Sequence, residues 1–196
     1  MADPAYIDAD GVLSVTEAWV ALSTTEPTGT KLCQMTSPAD GSSTDWSQFL
    51  DLIVIVAAQS AGTVYDGDGL LGYFNNDTSS NYKQQWWAAD GSAPLYLSNP
   101  TMVNMTLGNS LSTRVDSAIS TSLIWRIYDI NSGKYKSSTT QWAAMRDVPN
   151  TWTVGAYSFV WQSQAAITEI DLNMENANYG SGCMISLFGI LPRMVA

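Results

Sequence analysis

The sequence contains no histidine. That removes the side chain used most often as a general base at neutral pH, and with it the commonest metal ligand. Charge is scarce as well: Asp, Glu, Lys and Arg make up 13% of the 196 residues, about half the usual globular share. The 8 bases stand singly along the chain, with only Lys134 and Lys136 close together. No basic stripe can follow a phosphate backbone, so nucleic acid is not an expected partner. The 18 acids give a net charge of −10 but form no long block, which fits a solubility device on an otherwise uncharged polar surface. Cysteine is limited to Cys33 and Cys183, far apart in the chain. A bridge between them would tie the N-terminal region to the last strand, but two buried thiols is the reading favoured here. The most apolar run, Leu50 to Ala58, is too short to cross a bilayer. The opening MADPAYIDADG has neither the basic region nor the apolar core of a secretory leader. A soluble protein made in a cytoplasm, with no membrane partner, is the expectation. Heptads and long repeats are absent too.

What the chain does have is short strand-like runs separated by Gly, Asn, Asp and Ser. FLDLIVIVAAQ (residues 49–59) is β-branched and too short for an ordinary helix, so it reads as a central strand. Leu70 to Phe74, residues 122–130 and residues 151–161 read the same way. In the last of these Tyr157, Phe159 and Trp161 alternate with Val154, Ala156 and Val160. NSGK (residues 131–134) is a turn, and KYKSSTTQWAAM runs back from it as a hairpin partner. Ala165 to Leu172 and Cys183 to Leu191 are two further strands. Residues 83–100 read as strand or long loop, and residues 101–121 as a weak strand or a loop holding one. Val12 to Leu22 fits a short helix, with Ser14 and Glu17 as a capping box, and fits a strand nearly as well. The predicted fold is all-β: an antiparallel β-sandwich, jelly-roll-like, over residues 46–196, preceded by an N-terminal arm or clamp over residues 1–45.

Few residues offer chemistry. Asp66 and Asp68 in YDGDG suggest a calcium loop, but the sixth and twelfth positions would be Leu71 and Asp77, and the pattern fails. DADG (residues 8–11) is weaker still. Both read as acidic turns facing solvent. Glu169 and Asp171, two apart on a strand, share a face as a glycosidase pair would, yet they alternate with Ile170 and Leu172 in the manner of a solvated sheet face. The many serines lack a histidine base and a nucleophile-elbow pattern. No catalytic residue, no cofactor and no metal is therefore predicted, and the protein is expected not to be an enzyme. Aromatics are plentiful, and most belong in a core or at subunit contacts. Trp86, Trp87 and Tyr96 are the candidate interface or ligand aromatics, with Asp90 nearby. Adjacent tryptophans on a strand point to opposite faces, so Trp86 and Trp87 cannot both stack on one ligand.

GYFNNDTSSNY (residues 72–82) is the most deliberate stretch in the chain. Asn75 and Asn76 tolerate positive φ, Asp77 can accept a backbone hydrogen bond two residues on, and Asn81 and Tyr82 restart an extended segment. The expected structural turn is Asn75, Asn76, Asp77 and Asn81. Asn76 and Asn104 also fit the glycosylation acceptor pattern, to which no role is given in a chain without a leader.

From Phe74 to Tyr82 the residues resemble the FNxDTxxNY stretch of a family of tailed-bacteriophage virion structural proteins. Three further places agree, in order. Ile127, Tyr128 and Asp129 followed by Lys134, Tyr135 and Lys136 resemble the family's IxDY…KYK hairpin. Ala166, Ile167 and Ile170, after Trp161, resemble its AIxxI strand start. Asn178 to Ile190 is similar to the closing NFxxGSxxxLYGI, with Phe188 where tyrosine is usual and Gly182 and Cys183 inserted. The resemblance runs from about residue 46 to 191. It implies a non-enzymatic virion part, made in the host cytoplasm and assembled as a homotrimer. One reading is a capsid decoration or cement protein docked on the major capsid protein or other virion proteins. The other is a tail-fibre, baseplate or neck accessory protein with a receptor or host-glycan role. The missing heptads and repeats favour the first.

Overall fold

The computed structural model describes residues 19–62, 68–89, 94–111, 121–145 and 152–191. Among them are twelve strands: β1 (Trp19–Thr25), β2 (Leu32–Thr36), β3 (Asp51–Ala58), β4 (Asp68–Phe74), β5 (Tyr82–Ala89), β6 (Pro94–Met102), β7 (Met105–Leu111), β8 (Thr121–Tyr128), β9 (Lys136–Met145), β10 (Trp152–Trp161), β11 (Glu169–Met174) and β12 (Met184–Ile190). One turn of 3-10 helix spans Trp46–Gln48. An eight-stranded sheet runs β1-β12-β3-β8-β9-β10-β5-β6, and a four-stranded sheet runs β2-β11-β4-β7. All the pairings are antiparallel. The two sheets pack face to face as a β-sandwich, and the chain crosses repeatedly from one to the other.

The strand periodicity decides which side chains form the core. On β10, Tyr157, Phe159 and Trp161 point inward and are buried, while Ser158 and Val160 are exposed. Leu52, Val54 and Val56 of β3 and Leu123, Trp125 and Ile127 of β8 continue the same inner face. From the smaller sheet, Phe74 stacks on Trp125 with ring centroids 5.2 Å apart and planes 13° off parallel. Trp161 lies 5.4 Å from Phe74 and 6.4 Å from Tyr82. Each such pair adds roughly 0.5–1.5 kcal/mol beyond its buried area. This aromatic knot joins the two sheets where the chain passes from β4 to β5.

The described residues of 83–100 belong to β5 and β6, which pair antiparallel, and Met105–Leu111 of the next stretch is β7. Two expectations shift. The strand expected from Ala165 begins only at Glu169, because Thr168 and Glu169 first give their backbone N–H groups to the Asn75 side chain, at 2.9 and 3.1 Å. Within the expected 1–45 arm, β1 pairs with β12 and β2 with β11, so each sheet takes an edge strand from this stretch. Val12 to Ala18, where a short helix or strand was expected, lie outside the described residues, as does DADG.

The sheets differ in width. β7, the last strand of the small sheet, packs against β8, β9, β10 and β5. Among the described residues no strand lies opposite β6, and it is exposed on both faces along most of its length. It forms an overhanging edge that carries Pro94 and Pro100, residues tolerated at sheet edges because no ladder donor is needed there.

Gly189 on β12 lies under the Phe49 ring, where an added Cβ would come within 2.4 Å of a ring carbon. Gly189→Ala is expected to destabilise the fold by about 1–3 kcal/mol, the range of an overpacked core. Gly133→Ala, which meets nothing within 4 Å, should leave the urea midpoint unchanged.

Candidate functional site

The predicted turn is a hydrogen-bonded corner. Asn75 and Asn76 adopt φ of 51° and 57°, the left-handed region that Asn enters most readily among non-glycine residues. Asp77 Oδ1 accepts from Ser79 N–H at 2.9 Å. Its Oδ2 accepts from Asn81 Nδ2 at 2.9 Å and from the Trp161 indole N–H at 2.7 Å. The Tyr82 hydroxyl accepts from Phe74 N–H at 3.0 Å and donates to the Asp77 carbonyl at 3.1 Å. Asn75 reaches the other way, donating from Nδ2 to Ala166 O at 2.8 Å. Asn75, Asp77 and Asn81 therefore bond the backbone, one another or the indole of a strand in the opposite sheet, and Asn76 supplies a second left-handed residue to the turn. Burial works against ionisation of Asp77, but the bonds from Asn81, Trp161 and Ser79 outweigh it, and its carboxyl is held below the ordinary range.

The other carboxylates correct two expectations. Asp68 does not face solvent: it is 2% exposed. Its two oxygens accept from the backbone N–H groups of Asn176 and Ala177, both at 2.8 Å, clamping the β11–β12 connection onto β4. Asp66 lies outside the described residues. Glu169 and Asp171 do not form a solvated face either. Asp171 is 3% exposed, with Gln34 on β2 and Tyr73 on β4 as its cross-strand neighbours. One oxygen of each acid is buried without a hydrogen-bond partner. Burial, relieved in part by Gln34 and reinforced by the Glu169 carboxylate, holds the Asp171 carboxyl above its ordinary range. The reasons differ: Asp68 is covered by the β11–β12 connection that it bonds, and Asp171 lies in a middle strand between the longer Gln34 and Tyr73, neither of which alternation along one strand reveals. Among the described residues no group of three or more Cys, Asp or Glu is placed to hold a metal.

Cys33 and Cys183 are free and buried, as the favoured reading had it. Burial pushes the Cys33 thiol up to about 11, so it is not a nucleophile near neutral pH. The Cys183 thiol is also raised by burial, and it donates to the Gln59 carbonyl at 3.3 Å.

The aromatics separate. Trp86 faces inward, half-buried against the core and 5.8 Å from Tyr157. Trp87 faces outward and is 57% exposed. Tyr96 sits directly across from Trp87 on β6 and is 84% exposed. Leu95 and Leu97 are exposed on the opposite, inward side of the same overhang. Asp90 lies outside the described residues. Beside the Trp87–Tyr96 pair, the outer face of β10, β5 and β6 holds a groove of about 380 Å³. Three consecutive residues from each strand line it, and Lys83, Gln85, Ser98, Pro100, Ser158 and Val160 are the exposed ones. Sequence reasoning found the two aromatics but not the groove, because Lys83, Ser98 and Ser158 become neighbours only through strand pairing.

Searches against protein-family models, curated proteins and solved structures found no match.

The two shifted carboxyls make opposite predictions. Asp77 has a lowered folded-state pKa, so its contribution is present above the unfolded value of about 3.9 and fades as pH falls through the folded value. Asp77→Asn is expected to destabilise at pH 7 by about 1–3 kcal/mol, the cost of disrupting charge-assisted bonds, with the deficit shrinking by pH 3. Asp171 has a raised one, so its ionisation works against folding above that value. Asp171→Asn should stabilise at pH 7, and the gain should vanish below about pH 3.9. Denaturation midpoints across pH 3–7 check both, and parallel curves for the two variants would contradict the assignment.

Proposed function

We propose that this protein is a non-enzymatic structural part of a tailed-phage virion, a decoration or cement protein that docks on the head through symmetric subunit contacts. The single observation that carries the reading is the β5–β6 overhang. Its inward side leaves Leu95 and Leu97 45% and 49% exposed beyond the reach of the four-stranded sheet. Singly exposed apolar residues are ordinary, but two on one unsupported strand beside a half-buried Trp86 form the kind of patch that marks protein contacts. The conspicuous buried carboxylates, by contrast, serve the fold: Asp45 bonds the backbone N–H groups of Gly41 and Ser47, and Asp68 those of Asn176 and Ala177. The resemblance of residues 74–82 and of the last strand to virion structural proteins supplies the setting. The major capsid protein or another virion protein is the proposed partner. A closed ring of three copies is the proposed assembly.

The double variant Leu95→Asp/Leu97→Asp should keep its circular dichroism and lose at least tenfold in occupancy on particles assembled without the wild-type protein. Light scattering of the wild-type protein should give the mass of three chains. Unchanged occupancy would remove the overhang from the docking surface.

A further inference from the structure

The outer face of the same overhang has a different chemistry. Strand pairing sets its outward side chains in rows across β10, β5 and β6. Ala156, Trp87 and Tyr96 form one row, and Ser158, Gln85 and Ser98 form the next. Successive rows lie two residues apart, roughly 7 Å along the strands. Lys83 and Val160 pair one row further on, where the β5–β6 register shifts between Tyr82 and Gln84. The outer surface therefore runs from a pair of exposed aromatic rings, which stand one row beside the groove, into the groove across two hydroxyls and an amide, to a single ammonium group.

We propose that this groove binds an acidic oligosaccharide. Trp87 and Tyr96 offer side-by-side aromatic surfaces, with Cβ atoms about 5 Å apart as directly opposed residues, to the apolar C–H face of a sugar ring. Ser98, Ser158 and Gln85 each donate and accept hydrogen bonds, which matches hydroxyl groups that do both. The charge pattern selects the class of sugar. The chain carries −10 overall, yet among the described residues no carboxylate lines the groove and Lys83 is the one cation that does. An anionic group at that end is matched by Lys83, and a cationic ligand would meet no counter-charge from these residues.

Other ligand classes fit less well. An extended peptide adds to a sheet through edge backbone groups, and the groove lies on a sheet face whose backbone bonds are already made between β10, β5 and β6. A nucleic acid strand needs several phosphate contacts, and one lysine on an acidic protein cannot supply them. Trp87 and Tyr96 are also not surplus from a full core. The core aromatics Phe74, Trp125, Tyr157 and Trp161 each have ring partners, and the inward-facing Trp86 occupies the core side of the same position on β5.

The inference stands apart from the docking proposal, because Leu95 and Leu97 point to the opposite side of the hairpin from Tyr96. The test is titration of the full chain with four probes followed by tryptophan fluorescence and calorimetry: oligogalacturonate, a sialylated lactose, maltohexaose and chitotetraose. At least one acidic probe should bind, and more tightly than either neutral one. Trp87→Ala should weaken that binding by tenfold or more. Lys83→Gln should weaken the acidic probe by about three- to tenfold and leave any neutral binding unchanged. These are solvent-exposed positions, and an unchanged melting midpoint confirms that the variants fold. Absence of binding to all four probes at millimolar concentration overturns the proposal. So does binding that Trp87→Ala leaves intact. A neutral probe that binds as well as the acidic ones, with no effect of Lys83→Gln, overturns the assignment of the acidic class. Because particle occupancy is read with the Leu95 and Leu97 variants, loss of either function leaves the other measurable.

Discussion

The Asp77 carboxylate, bonded to the indole of Trp161, holds the place where the chain leaves the small sheet for the large one. β4 ends at Phe74 and β5 begins at Tyr82, and the residues between must reverse direction and change layers within one tight loop. Backbone groups in such a loop have no ladder partners, and leaving them unpaired in a partly buried corner would cost about as much as the corner gains. Asp77 meets Ser79, Asn81 and Trp161 with one carboxylate. Asn75 meets the start of β11 with one amide, and Tyr82 returns its hydroxyl to Phe74 and Asp77. The stacking of Phe74 on Trp125 and the tilted contact with Trp161 depend on this corner holding its shape. The aromatic centre of the core and the polar turn above it are therefore one unit.

The same economy governs the remaining buried acids. Asp45 caps the 3-10 turn at Trp46, and Asp68 gathers the β11–β12 connection. Each carboxyl is bonded by backbone N–H groups rather than by a lysine or arginine, as suits a chain with so few bases. Asp171 is the exception, a carboxyl placed beside Glu169 with incomplete bonding. It is where local pattern and tertiary setting disagree.

Width mismatch between the sheets accounts for the surface. Eight strands cannot be covered by four, so β6 extends past the core. An edge of this kind invites uncontrolled pairing unless it is blunted. Here prolines stand at Pro94 and Pro100, and the surface on either side of the strand differs in character: aliphatic toward the core layer, aromatic and polar away from it. Two distinct recognition faces can thus be borne on one hairpin.

The period-two alternation in β10, the apolar run of β3 and the asparagine-rich turn were legible in the chain, because each depends on interactions within a few residues. So were the all-β class and the opposed directions of Trp86 and Trp87. The burial of Asp68 and Asp171 was not legible, because the first depends on a connection folding back over β4 and the second on the side chains of the strands beside it. Nor was the delayed start of β11, which Asn75 sets from a residue far away in sequence. The groove was least legible of all. Its lysine, amide and two serines are unremarkable in any local window and acquire a common direction only when β10, β5 and β6 pair. By itself, the sequence determined the strands and the corner that joins them, because hydrophobic alternation and Asx turns are local properties. Only the tertiary structure decided which acids were buried and which aromatics stood free, because both follow from which strand lies beside which and where the second sheet ends.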